Sequence, residues 1–182
     1  MTSASPHPWQ RRALGGYQHL PEWVRRWLAH RVAPSYTVGG LCVVERADGR
    51  VLLVRHSYRP RWGLPGGFLK RGEAPADAVR REVGEEAGLS VELVGEPAVV
   101  VSPAWRRVDV IFRARPSSEA QADRAQPLSG EIEDVAWFAR GALPELQEEA
   151  AEAMIALARV ARGGLGSAAG PEGQVPPPLA DR

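Results

Sequence analysis

The chain has one cysteine, one lysine and no long hydrophobic run. A lone thiol, Cys42, excludes an internal disulfide. Its setting, GGLCVVE, reads as a buried strand, so an inert core thiol is expected rather than a nucleophile. Four scattered histidines leave no Cys/His cluster of the kind zinc requires. No apolar stretch is long enough to span a bilayer, and the N-terminus lacks the apolar segment of a secretion signal. A cytoplasmic protein without stable membrane insertion is the expectation. Charge of one sign is missing as well. The 23 Lys and Arg residues balance 22 Asp and Glu to a net +1, which gives no signal for nucleic acid or for a generally acidic partner.

What is present supports one domain, since 182 residues with 44% hydrophobic content can build a proper core. The informative stretch is GFLKRGEAPADAVRREVGEEAGL, from Gly67 to Leu89. Pro75 suits a first helical position, Asp77 the positive N-terminal end and Gly88 a C-terminal cap, which places a helix at about Pro75 to Ala87. On that helix Glu82, Glu85 and Glu86 fall within an arc of about 100°, with Val79 and Val83 beside or inside it. The carboxylates therefore border the buried side. Like charges three and four residues apart destabilise a helix by about 0.2–0.5 kcal/mol per pair, and charge beside apolar surface costs more unless compensated. A divalent cation would compensate it, and hard oxygen ligands without His or Cys favour Mg²⁺ or Mn²⁺. Gly84 adds to the oddity, because a mid-helix glycine costs about 1 kcal/mol relative to alanine.

The stretch reproduces in full the pattern G-x5-E-x7-R-E-U-x-E-E-x-G-U, with U aliphatic, from Gly67 through Glu73 to Arg81-Glu82-Val83-Gly84-Glu85-Glu86-Ala87-Gly88-Leu89. A chance match in a chain this long is on the order of one in a million. The chain resembles a Nudix hydrolase. The resemblance covers about Thr37 to Ala161 and implies an α/β fold of the Nudix type, an α/β/α sandwich with a central mixed sheet. It further implies hydrolysis of a nucleoside diphosphate linked to another moiety, releasing a nucleotide and the phosphorylated remainder. Carried over residue by residue, Glu82, Glu85 and Glu86 become metal ligands, joined by the carbonyl of Gly67, while Glu73 and Arg81 orient them. In the EIEDVAWF stretch the resemblance implies an acidic residue that approaches the metal site, Glu131 with Glu133 as the alternate, and the general base is Glu85 or Glu131. ADP-ribose or a nucleotide sugar is one substrate class, for which Pro103 beyond the box is a hint. A house-cleaning pyrophosphatase of nucleoside triphosphates is another, and a non-catalytic nucleotide-sensing module a third.

The rest of the chain frames this centre. Residues 1–17 read as a disordered tail, and 18–36 as a helical extension. Within the extension, PEWVRRWLAHRV places Trp23, Val24, Trp27, Leu28 and Val32 on one face. That face suits packing on the main domain or on a twin subunit in a homodimer, a membrane-surface helix, or a lid. The hydrolase domain is expected over 37–162. Strands are expected at about Thr37–Glu45 and Val51–His56 around an Asp48-Gly49 turn, and their near-continuous apolar runs indicate burial on both faces. Arg59, Arg61 and Trp62, on the loop ahead of the box, are candidate phosphate and base contacts of a small nucleotide, and Trp62 is equally a core plug. Trp105 and Arg106 form a second such pair at a hairpin tip. Val91–Glu96 and Ala98–Ser102 look extended, and in Arg107–Arg113 the residues Val108, Val110 and Phe112 alternate with polar Asp109. Pro116 to Gly130 reads as a mobile loop, about Glu145–Ala161 as a helix, and 163–182 as a disordered Gly/Pro tail.

Overall fold

The computed structural model describes residues 20–25, 31, 35–163 and 167–169. The chain divides into two units, Met1–Ser35 and Tyr36–Arg182. In the first, residues 22–25 and 31 are helical, and Pro21 opens the turn with its carbonyl accepting from Val24 and Arg25 at 3.0 and 3.1 Å. The rest of the expected N-terminal helix, and the tail before it, lie outside the described residues.

The second unit is built on strand β1 (Thr37–Val44). Around it stand β2 (Arg50–His56), β3 (Gly66–Phe68), β4 (Val91–Ser102), β5 (Arg107–Pro116), β6 (Ile132–Ala139) and β7 (Ser167–Ala169). Helices α1 (Pro75–Ala87), α2 (Glu119–Ala122) and α3 (Glu148–Ala161) complete it. A mixed five-stranded sheet runs β3-β1-β5-β4-β7, and β2 and β6 form a separate antiparallel pair. Strand β1 is parallel to β5 and antiparallel to β3, and β4 is antiparallel to β5.

Burial on both faces of β1 follows from this. On one face Cys42 and Val44 meet Val79, Val83 and Ala87 of α1. On the other, Leu41 and Val43 meet Ala150, Ala153, Ala156 and Leu157 of α3. Burial also pushes the Cys42 thiol up to about 12, which makes it inert.

Helix α1 has the bounds its caps dictate. Pro75 occupies the first turn, and Gly88 closes the C-terminus in the left-handed region at φ 70°, where glycine carries no Cβ penalty. Close approach to the sheet comes from Gly40, where a Cβ would sit 2.7 Å from Val79 Cγ1.

Several expectations need correction. The Asp48-Gly49 turn forms, but β1 and β2 share only the Glu45–Val51 bridge before diverging to different partners. The segment 91–102 is one strand, with a register shift between Val94 and Ala98 that leaves Pro97 without a ladder position to fill. Residues 116–130 are pinned rather than mobile. Ser118 caps α2 through Gln121 N, Arg46 ties to Glu119 and Asp123 at 3.0 and 2.8 Å, and Trp137 Nε1 donates to the Ala122 carbonyl at 3.0 Å. In the tail, Ser167–Ala169 pairs parallel with Val99–Val101, so the expectation of disorder from 163 fails there. The remainder of the tail lies outside the described residues. Among the described residues no helix is long and apolar enough to cross a membrane.

Gly84 has room for a methyl group, since a Cβ there meets only the Leu89 carbonyl at 3.8 Å. Gly84→Ala is therefore expected to stabilise the fold by about 0.5–1 kcal/mol, read as a raised urea midpoint with an unchanged slope. Cys42 is expected to resist thiol reagents at pH 8 until the protein is unfolded, and native labelling would show that its burial is not maintained in solution.

Candidate active site

Strand β3 places Gly66 and Gly67 against Leu41 and Gly40 of β1, and the turn that follows delivers the chain to α1. The turn is closed by Glu73, which accepts from the Lys70 N–H at 2.8 Å. Arg81 then becomes the hub. Its Nε and Nη2 bind the two Glu73 oxygens at 2.8 and 2.9 Å, and Nη1 reaches Glu82 at 2.7 Å and Glu85 at 3.1 Å. The second Nη2 hydrogen is directed at the Phe68 carbonyl at 3.4 Å. All five guanidinium donors are thereby used, a fork geometry that lysine could not reproduce.

The electrostatics follow the contacts. The Arg81 hydrogen bond, helped by the Lys70 N–H, holds the Glu73 carboxyl down to about 2, and Glu73 in turn raises Arg81. Glu86 is outside this network. It is 7% exposed, accepts from the Gly66 N–H at 3.1 Å, and has His56 Nε2 at 3.7 Å. Burial pushes its pKa up, opposed by His56 and Gly66. Gly67 is bare for a steric reason, because a Cβ there would overlap the Glu82 carboxylate.

Carboxylate and main-chain oxygens fit a hard divalent cation, and Glu86 lacks a full cationic partner of its own. In this arrangement Arg81 holds Glu82 and Glu85. Among the described residues no group of three His, Cys, Asp or Glu side chains converges on one metal position.

The other candidates divide. A cleft of about 1250 Å³ opens between the sheet and α3, and Arg59, Arg61 and Trp105 line it. Arg59 is held by Gln147 at 2.9 Å and Glu149 at 3.3 Å, and Arg61 by Glu145 at 2.7 Å. Trp62 does not line the cleft. It packs edge-on against Phe138 at 4.9 Å within the core, so its role is the plug. Arg106 is absent from the lining too, and closes the 3-10 turn Pro103–Trp105 in the left-handed region at φ 48°. Glu131 touches the neighbourhood through its backbone alone, its carbonyl accepting from Ser57 N at 2.9 Å beside His56. Glu133 is paired with Arg55 at 3.0 Å.

Two residues escaped the sequence reading. His56 ends a buried strand, and nothing local to it signals that Glu86 lies across from it. Asp109 was placed on the polar side of an alternating strand, yet it is 5% exposed, and it and Ile111 share the face that α3 covers. Arg107 Nε lies 2.8 Å from its carboxylate, and burial raises its pKa. The paired glycines Gly39-Gly40 opposite β5 were the available signal for a large group sitting against β1.

The comparisons agree with the geometry. The NUDIX domain matches residues 35–158, and the chain belongs to the Nudix family, hydrolases that act on phosphoric anhydride bonds. A "MutT-like protein" of Streptomyces ambofaciens is 34% identical over 116 residues, 64% of this chain and 72% of that one. A human 8-oxo-dGDP phosphatase is 34% identical over 119 residues, 57% of this chain but 32% of the relative. Among solved structures, an ADP-ribose pyrophosphatase of Streptococcus suis is 25% identical with a TM-score of 0.56, covering 70% of this chain and 93% of that one.

The Glu73–Arg81 pair yields a pH prediction. A carboxyl held below its ordinary value of 4.5 contributes stability that is present above that value and is lost as pH falls from there through about 2. The urea midpoint should drop across that window. Glu73→Gln should lower the midpoint at neutral pH and flatten the drop; an equally steep acid limb in the variant would place the titration elsewhere.

Proposed function

We propose that this protein is a Mg²⁺- or Mn²⁺-dependent pyrophosphohydrolase that cleaves a nucleoside diphosphate linked to another moiety, of the ADP-ribose or nucleotide-sugar type. Water adds across the P–O–P bridge: one phosphorus gains the hydroxyl, the bridging oxygen leaves with the other, and a nucleoside monophosphate and a phosphorylated product result. The observation that carries this reading is Glu86, a buried carboxylate beside Gly66 and Gly67 whose charge Arg81 does not serve. Glu82, Glu85, Glu86 and the Gly67 carbonyl would hold the cation, which when bound neutralises phosphate oxygens and lowers the pKa of a water. The chain's own contribution is orientation. Arg81 and Glu73 fix the carboxylates at one edge of α1, and the buried flank of Glu86 keeps bulk water away. Glu85, half exposed, and Glu131 are the candidate bases.

The cleft supplies the second end of the substrate. Arg59, Arg61 and Trp105 offer cations for phosphate and a ring for a base, and about 1250 Å³ exceeds what a lone phosphate needs. The Streptococcus suis structure supports an ADP-ribose-like compound. The human relative supports a second reading, a house-cleaning activity on free nucleoside phosphates. Retention of every box carboxylate speaks against a sensor that binds without cleaving. The free buried thiol suits a reducing cytoplasm.

A panel of nucleotide diphosphate compounds with Mg²⁺ or Mn²⁺ should release a mononucleotide from at least one member, and the co-product separates the two readings. Glu86→Gln and Glu85→Gln should each lower turnover by orders of magnitude with the circular dichroism unchanged. Parental turnover in both variants would remove the ligand assignment.

A further inference from the structure

Two charged side chains are buried among the described residues, Glu86 and Asp109, and the second is outside the box. Asp109 stands mid-way along β5 with its side chain 8% exposed. A buried carboxylate is costly unless the structure provides for it, and here it does so twice. Gly39, the register partner of Asp109 on β1, leaves the space: a Cβ there would overlap Asp109 Oδ1. Arg107, two residues away and so on the same face of the strand, brings Nε within 2.8 Å of both carboxylate oxygens. One N–H shared by two oxygens leaves lone pairs open on each.

Asp109 lines the large cleft together with Glu152 of α3. Glu152 makes no hydrogen bond or ion pair among the described residues. At the rim, Trp105 is 64% exposed, whereas the other exposed ring, Phe68, already carries the Arg107 guanidinium over its face at 5.6 Å. An open aromatic face, a fixed acceptor pair and an unpaired acid within one cleft are what a planar ring with a hydrogen-donating edge would occupy.

We propose that Asp109, seated against Gly39 and aimed by Arg107, is the specificity-determining residue for the nucleobase, accepting the two adjacent N–H donors of a guanine edge while the ring stacks on Trp105. Guanine is the standard base with two such neighbouring donors. Adenine and cytosine place an acceptor beside their amine, and uracil flanks its one N–H with carbonyls, so each sets a lone pair against the carboxylate. The inference rests on the cleft being the nucleotide end of the proposed hydrolase, and it applies equally to a diphosphate-linked or a free nucleotide.

The test is calorimetric binding of GDP, IDP and ADP to the full chain in EDTA, beside kcat/KM for GTP and ATP with Mg²⁺. GDP should bind about tenfold or more tighter than ADP, with IDP, which keeps one of the two donors, between them. Asp109→Asn should bring the three to near equality with melting unchanged, and Trp105→Ala should weaken all three without changing their ratio. Equal binding of GDP and ADP by the parent overturns the proposal without recourse to any variant, as does an Asp109→Asn protein that keeps the preference. Guanine preference without turnover of any nucleotide would sink the hydrolase reading and leave this one standing, and turnover without base preference would do the reverse.

Discussion

The constraint on which the structure depends is negative charge held against the protein's interior. Arg81 solves most of it by spending each of its donors on Glu73, Glu82, Glu85 and the Phe68 carbonyl. This one side chain joins the loop ahead of α1, the helix itself and the end of β3. What it leaves over is Glu86, satisfied by a main-chain N–H and a distant imidazole only. Without the arginine, Glu73, Glu82 and Glu85 would face one another with no shared cation to hold their rotamers.

The sheet has the same division of labour. Strand β1 touches α1 on one face and α3 on the other, so the helix that carries the box carboxylates and the helix that walls the cleft pack on opposite sides of shared main chain. The hairpin β4–β5 carries Trp105 to the cleft rim, and the same strand β5 carries Arg107 and Asp109 to its wall.

How much of this the sequence disclosed depends on how local each determinant is. Helix α1 was legible to its ends, because Pro75 and Gly88 act on their own turns, and the box was legible because its spacing is rigid along that helix. Pairing was not, since nothing in the β1 or β2 sequence states that one prefers β5 and the other β6. Asp109 was misplaced because alternation identifies two faces of a strand but not which is covered, and here both are. Trp62 was left between two roles and the segment 116–130 was misjudged for a related reason: composition resembles that of an exposed loop, while Phe138, Arg46 and Trp137, distant in sequence, decide the outcome.

The adjacent glycines of β1 carry a consequence beyond packing. At Gly40 the helix bearing the glutamates rests on bare main chain, and at Gly39 the Asp109 carboxylate does the same from the opposite side. No side chain cushions either contact, so the strand works as a thin shared rail between the box helix and the cleft wall. A side chain at either glycine would therefore push one neighbour away from the strand, α1 at Gly40 and the Asp109 carboxylate at Gly39, and the rail tolerates bulk on neither side.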